Sequence, residues 1–91
     1  MVEGNLRGRQ QTDYEAAAGS PATLTLQLTA SPANSVALKL YTPEDVEMPL
    51  HVAGKNRWTA ELSHGGDYGI SVLRTSGAHG TSTYKLKVRI R

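Results

Sequence analysis

The sequence predicts an all-β fold, a single antiparallel β-sandwich of about seven strands with Greek-key or jelly-roll-like connections. Apolar residues alternate with polar ones along most of the chain, which is the period of a strand with one buried face. Groups of glycine, proline, asparagine or aspartate separate the alternating runs at regular intervals. Since 91 residues have room for one modest core, we expect one domain over residues 1–91.

The strands follow one another in a regular order. A first strand is predicted over residues 6–16, and the clearest one covers residues 23–29, where three leucines alternate with threonine and glutamine. A weak strand over residues 48–52 brings the count to about seven. Residues 43–48 are too few for a stable helix, so we interpret them as an acidic turn. The other alternating sets are Val36, Leu38 and Leu40; Trp58, Ala60 and Leu62; Tyr68, Ile70 and Val72; and Tyr84, Leu86, Val88 and Ile90.

Composition excludes several kinds of chemistry. The chain has no cysteine, so it has no disulfide, no thiolate nucleophile and no zinc–cysteine site. It contains no run of 18 apolar residues, so no transmembrane helix is predicted. The residues themselves leave the cellular compartment open.

The polar residues do not form a recognisable catalytic or metal-binding pattern. His51, His64 and His79 fall in predicted turns or on exposed strand faces, and the sequence has no Gly-x-Ser-x-Gly nucleophile elbow. The acidic residues between 44 and 47 lack the regular spacing of a calcium-binding loop. We therefore predict no catalytic residues, no metal and no cofactor, and a protein that works by binding a partner.

Positive charge is concentrated in the last quarter of the chain. Residues 69–91 carry five basic side chains and no acidic one, and four of the five alternate with the final apolar set. They therefore project from one strand face, roughly 7 Å apart. We interpret this stripe either as a site for a polyanion or as a solvated outer face that protects a sheet edge. Nucleic acid is the less favoured polyanion, because no RNP-type aromatic motif or Gly-x-x-Gly clamp is present. The four residues are Lys85, Lys87, Arg89 and Arg91.

Several short motifs resemble the bacterial pre-peptidase C-terminal type of β-sandwich, and together they cover most of the chain. This resemblance implies an accessory module that binds carbohydrate or matrix protein beside a secreted hydrolase. The motifs are Asp13-Tyr14, Ala18-Gly19, Leu24-x-Leu26-x-Leu28, Leu38-x-Leu40-Tyr41 and Gly66-x-Tyr68-x-Ile70-x-Val72.

A closer resemblance lies in the last third of the chain. There Gly66-x-Tyr68-x-x-x-Val72-Leu73-x-Thr75 is followed by a glycine-rich loop and by the alternating apolar set that begins at Tyr84. This pattern is similar to the periplasmic inhibitors of g-type lysozyme, which share the sandwich architecture. The resemblance implies a periplasmic or secreted bacterial protein that occludes the active-site cleft of a lysozyme with loops at one end of the sandwich.

The resemblance also indicates which loop would contact the enzyme. In that family a basic residue directly after the Leu-x-Thr stretch enters the cleft; here that position holds Ser76, and Arg74 lies two residues earlier. The loop is also similar to the Ser-Gly-x-Tyr motif of other lysozyme inhibitors, with Ser76 and Gly77 in place and His79 at the tyrosine position. The alternative is a hairpin loop whose glycines simply permit positive φ. Oligomeric state and strand order stay open.

Overall fold

The alternating runs form two packed antiparallel sheets. The computed structural model describes residues 2–7, 10–19, 21–33, 35–75 and 80–91, and within these ranges it contains nine strands and no helix. The strands are β1 (Val2–Arg7), β2 (Gln11–Ala18), β3 (Ala22–Ser31), β4 (Val36–Tyr41), β5 (Glu47–Met48), β6 (His51–Gly54), β7 (Arg57–Leu62), β8 (Gly66–Arg74) and β9 (Thr81–Ile90).

The two sheets have five and four strands. The larger one, called sheet A here, has the order β1-β9-β3-β7-β6, and the smaller one, sheet B, has the order β2-β8-β4-β5. The predicted antiparallel sandwich is confirmed, although the strands number nine in the described ranges rather than about seven. Each sheet has one of the last two strands, β8 or β9, in its interior.

The core consists of the inward-facing residues of both sheets. On β3 the side chains of Leu24, Leu26 and Leu28 are buried. Gln27, which lies between two of them, and Thr29, which follows the last, are exposed. Full burial of such a side chain stabilises the fold by about 1.5–3 kcal/mol. The other buried apolar residues are Leu6, Ala22, Val36, Leu40, Ala60, Leu62, Tyr68, Ile70, Val72, Tyr84 and Leu86.

The predicted first strand over residues 6–16 is two strands in different sheets. β1 pairs with β9 in sheet A, and β2 pairs with β8 in sheet B. Between them the amide of Gln10 donates a hydrogen bond of 3.1 Å to the carbonyl of Arg7. Inward-facing residues have even numbers in both strands, as Leu6 and Tyr14 do, so the sequence period continues unbroken through the change of sheet.

The prediction for residues 43–52 is also corrected. The expected strand over residues 48–52 is divided between sheets, with β5 on β4 and β6 on β7. Pro49, which has no amide hydrogen to give to a ladder, lies between the two. The expected acidic turn is shorter than predicted, because Glu47 and Met48 form β5. In the turn itself Asp45 has φ of 63°, and the amide of Thr42 donates a hydrogen bond to the carbonyl of Val46.

A pair of tyrosines joins the sheets from the inside. The hydroxyls of Tyr14 on β2 and Tyr84 on β9 lie 2.6 Å apart, at hydrogen-bonding distance. Burial, with a further contribution from the bond to Tyr84, raises the pKa of Tyr14 to about 12. Gly4 on β1 lies directly opposite Tyr84, and the ring occupies the space that a side chain at position 4 would need. The pair therefore fixes the distance between the sheets under β1.

Candidate functional site

Three connections change sheet at one end of the sandwich. β1, β3 and β8 end there, and β2, β4 and β9 begin there, as the register shows by pairing Arg7 with Thr81 and Val36 with Arg74. We call this the crossover end. The turn between β4 and β5 and the connection between β7 and β8 are at the opposite end. Loops gathered at one end of a sandwich are a common binding surface, because the sheets hold them in place.

The connection between β8 and β9 is held at its base by hydrogen bonds to β9 and to the connection between β3 and β4. Arg74 lies in the inward-facing row of β8, and its Nε donates to the Oγ of fully buried Ser82 at 3.3 Å. The amide of Thr75 donates to the carbonyl of Ser35 at 3.0 Å. The hydroxyl of Ser35 in turn donates to the carbonyl of Pro32 at 2.6 Å. Two of the three crossover connections are thus tied to each other.

Of the predicted contact residues, only Arg74 lies within the described ranges. Ser76, Gly77 and His79 lie outside the described residues. Arg74 is half-buried at the base of the loop, so its contact with a partner stays a prediction while its hydrogen bond to Ser82 is an observation. Gly80, where the described chain resumes, has φ of 70°, a conformation that glycine adopts without strain.

The other two histidines lie away from the crossover end. His51 is exposed on edge strand β6, and His64 is exposed at the opposite end, where its carbonyl accepts a hydrogen bond of 2.6 Å from the hydroxyl of Tyr68. Across the described residues no three histidine, aspartate or glutamate side chains lie together as metal ligands. The same part of the chain contains no helix with the length and hydropathy that a membrane span requires.

The strand that carries the predicted basic stripe, β9, is not at the edge of its sheet. β9 lies inside sheet A, between β1 and β3, so the interpretation that its lysines protect a sheet edge is wrong. The structure also divides the predicted stripe: Lys85 lies 3.7 Å from Glu3 of β1, whereas Lys87, Arg89 and Arg91 line a separate shallow depression.

Sequence reasoning missed one member of this basic surface. Arg57 of β7 lines the same depression as the last three basic residues, because β3 places β7 two strands from β9. The sequence does indicate that Arg57 faces outward, because it precedes inward-facing Trp58. Only the strand order shows that this outward side chain lies near the basic residues of β9. The depression has a volume of about 410 Å³ and is lined by Thr25, Gln27, Ala53, Arg57, Thr59, Lys87, Arg89 and Arg91.

Over the described residues, the two sheets and the three crossovers define a helix-free antiparallel β-sandwich. The same architecture occurs in solved structures of PliG. One is the crystal structure of Aeromonas hydrophila PliG, a periplasmic lysozyme inhibitor of g-type lysozyme. The match covers 99% of this chain and 83% of the PliG chain, with a TM-score of 0.83 and 18% sequence identity. Another is the crystal structure of Salmonella Typhimurium PliG, likewise a periplasmic lysozyme inhibitor of g-type lysozyme. This match covers 99% of this chain and 85% of the PliG chain, with a TM-score of 0.75 and 16% sequence identity.

Sequence comparison adds nothing to this structural likeness. No protein-family model matches the chain, and no curated protein does. At 16% and 18% identity the likeness shows a shared fold. The predicted resemblance to the inhibitors of g-type lysozyme is confirmed at that level, and both neighbours are inhibitors rather than enzymes. The resemblance to the pre-peptidase C-terminal type is not confirmed by these comparisons.

Proposed function

We propose that this chain is a non-catalytic, periplasmic or secreted bacterial inhibitor of g-type lysozyme. The observation that carries the proposal is the match of 99% of the chain to two solved structures, both described as periplasmic inhibitors of that enzyme. The match includes both sheets and therefore their crossover end. A fold alone does not determine a function, so the proposal depends on what the loops at that end bind.

Inhibition would be competitive occlusion by the connection between β8 and β9. Ser76, Gly77 and His79 would enter the cleft that cleaves peptidoglycan, with Arg74 at the base. The hydrogen bonds from Arg74 to Ser82 and from Thr75 to Ser35 support this role, because a loop with a fixed base loses less conformational entropy when it binds. The protein partner is thus a lysozyme, and no bond in it is made or broken by the inhibitor.

The test is a turbidity assay in which lysozymes of the g, c and i types clear bacterial cell walls while this protein is titrated in. We expect the g-type enzyme to lose its activity as the ratio of inhibitor to enzyme reaches one to one. The c-type and i-type enzymes serve as specificity controls. Full activity of all three at a large excess of the protein would remove the proposal.

The assigned loop is tested separately by two histidine variants. His79→Ala should weaken inhibition about 10- to 30-fold if the side chain is a binding hot spot. His64→Ala is the matched control, because it removes the same side chain from the opposite end and leaves intact the backbone carbonyl that Tyr68 uses. A loop of plain Gly-Ser sequence at positions 76–79 should abolish inhibition. If that rebuilt loop inhibits as well as the original, the contact residues are wrongly assigned.

A further inference from the structure

The outer face of sheet A carries a surface that the proposed inhibition does not use. Four of its basic side chains line one depression, and we call them and the polar residues between them the cationic face. The strand register places Lys87 beside Gln27, and Gln27 beside Arg57; in the next row Arg89 is beside Thr25, and Thr25 beside Thr59. Arg91 follows at the end of β9. The cationic face consists of Thr25, Gln27, Arg57, Thr59, Lys87, Arg89 and Arg91.

The positive charge of this face is not neutralised by neighbouring acids. Within the described ranges none of its four basic residues takes part in an ion pair; the ion pairs there are those of Lys39 with Glu47 and of Lys85 with Glu3. The nearest acid along β7 is Glu61, whose carboxylate lies 3.4 Å from the hydroxyl of Thr23. Four exposed cations beside a single carboxylate produce a positive potential that attracts an anionic ligand.

We propose that the cationic face binds an acidic polysaccharide. The basic residues of β9 repeat roughly every 7 Å along the strand, which suits an extended chain with repeated negative charges. Between them lie the hydroxyls of Thr25 and Thr59 and the amide of Gln27, which both donate and accept hydrogen bonds as sugar hydroxyls require.

Nucleic acid fits the cationic face less well than a polysaccharide does. The described residues that line the depression include no aromatic ring, whereas proteins that bind single strands stack the bases on such rings. The face is also built from adjacent strands of one five-stranded sheet, without the protruding helix or two-stranded ribbon that enters the major groove of a duplex. Hydroxyl-rich surroundings and repeated charges together favour the sugar polymer.

The cationic face and the proposed lysozyme-binding loop are separate surfaces. Lys87 follows Thr81, the first residue of β9, by six positions, which corresponds to roughly 20 Å along the strand. The inference therefore stands or falls independently of lysozyme inhibition. Variants of the face can be tested for inhibition and variants of the loop for polysaccharide binding, so that the failure of one proposal is distinguishable from the failure of the other.

The experiment measures the affinity of the whole chain for polygalacturonate, a carboxylated polysaccharide, at low salt by calorimetry, with neutral dextran as the uncharged control polymer. We expect binding to polygalacturonate that weakens as salt is added, and none to dextran. Lys87→Gln combined with Arg89→Gln should weaken binding roughly tenfold, since each exposed charge pair contributes less than a factor of ten. Both side chains are exposed, so the fold should be retained, and thermal unfolding checks this.

The matched control removes the same charge elsewhere. Lys39→Gln combined with Arg7→Gln takes one charge from the outer face of sheet B and one from the crossover end, where Arg7 pairs with Thr81, roughly 20 Å along β9 from Lys87. It should change the affinity less than about twofold, since charges farther away than a Debye length, about 10 Å at 0.1 M salt, are screened. Equal losses in the two double variants would show an effect of net charge and overturn the proposal.

Tighter binding of oligothymidylate or duplex DNA than of polygalacturonate, at equal charge and salt, would overturn it as well, as would no binding at all.

Discussion

The Tyr14 hydroxyl lies in an environment that disfavours its ionisation. It lies half-buried between the sheets and shares a hydrogen bond with Tyr84, so ionisation would place a negative charge in a poorly hydrated site. Burial first, and the hydrogen bond second, raise the pKa of Tyr14 from about 10 to about 12. The bond between the sheets is therefore made by the neutral phenol.

This raised pKa predicts a loss of stability at high pH. The unfolded chain releases the Tyr14 proton near pH 10 and the folded chain only near pH 12, so the folded state holds more protons over that interval. The free energy of unfolding must then fall as pH rises from 10 to 12, and be unaffected by this group below pH 10. Urea unfolding at a series of pH values measures the fall. In Tyr14→Phe the fall should be shallower; an identical slope would contradict the assignment to Tyr14.

Gly4 is required by the ring that covers it. A Cβ built on Gly4 would lie 2.5 Å from the Oη of Tyr84 and 2.6 Å from its Cζ, too close for any real contact. Tyr84 is held by Tyr14, so either the ring or the whole of β1 must move. We expect Gly4→Ala to lower the free energy of unfolding by about 1–3 kcal/mol, as overpacked cores do.

The control for this substitution is Gly19→Ala. A Cβ at Gly19 meets nothing within 4 Å, and the residue is exposed between β2 and β3. It should change the free energy of unfolding by less than about 0.5 kcal/mol. Similar effects of the two substitutions in urea unfolding would mean that the ring does not pack against β1 as described.

Along strand β9, neighbouring residues have opposite surroundings. Leu86 is fully buried between the sheets, and Lys87 projects into solvent on the cationic face. Leu86→Ala should lower the free energy of unfolding by about 2–5 kcal/mol, because it leaves a cavity in the core. Lys87→Ala should change it by less than about 0.5 kcal/mol. Chemical unfolding of both variants tests the register, since a shift by one residue would exchange the two results.

Alternation predicted these strands well because each has one face in the core and one in solvent. β3, β4, β7, β8 and β9 each lie over or around a run that the sequence marks. Alternation did not predict the break between β1 and β2, because even-numbered side chains such as Leu6 and Tyr14 point inward in both strands. The pattern therefore does not show that the two strands belong to different sheets. It also failed at β5 and β6, which with two and four residues are too short to show a period.

The functional surfaces were only partly predictable, because each depends on which strands are neighbours. The basic alternation in β9 correctly put Lys87, Arg89 and Arg91 on one face. It did not indicate that β1 would bring Glu3 to Lys85, or that β7 would add Arg57 to the surface. Sequence periodicity is local, whereas these contacts join residues far apart in the chain. The residues at 76–79 stay a prediction that the inhibition assay must test.

The order of the strands in the two sheets matters for the molecule as it is being made. β8 lies between β2 and β4, and β9 lies between β1 and β3, so in each sheet one interior strand is synthesised after both of the strands that flank it. A nascent chain that has reached β7 has no partner for β1 or β2, and it cannot form either sheet in full. Completion of both sheets must therefore wait for the last two strands, so a chain shortened before β8 should fail to form the sandwich.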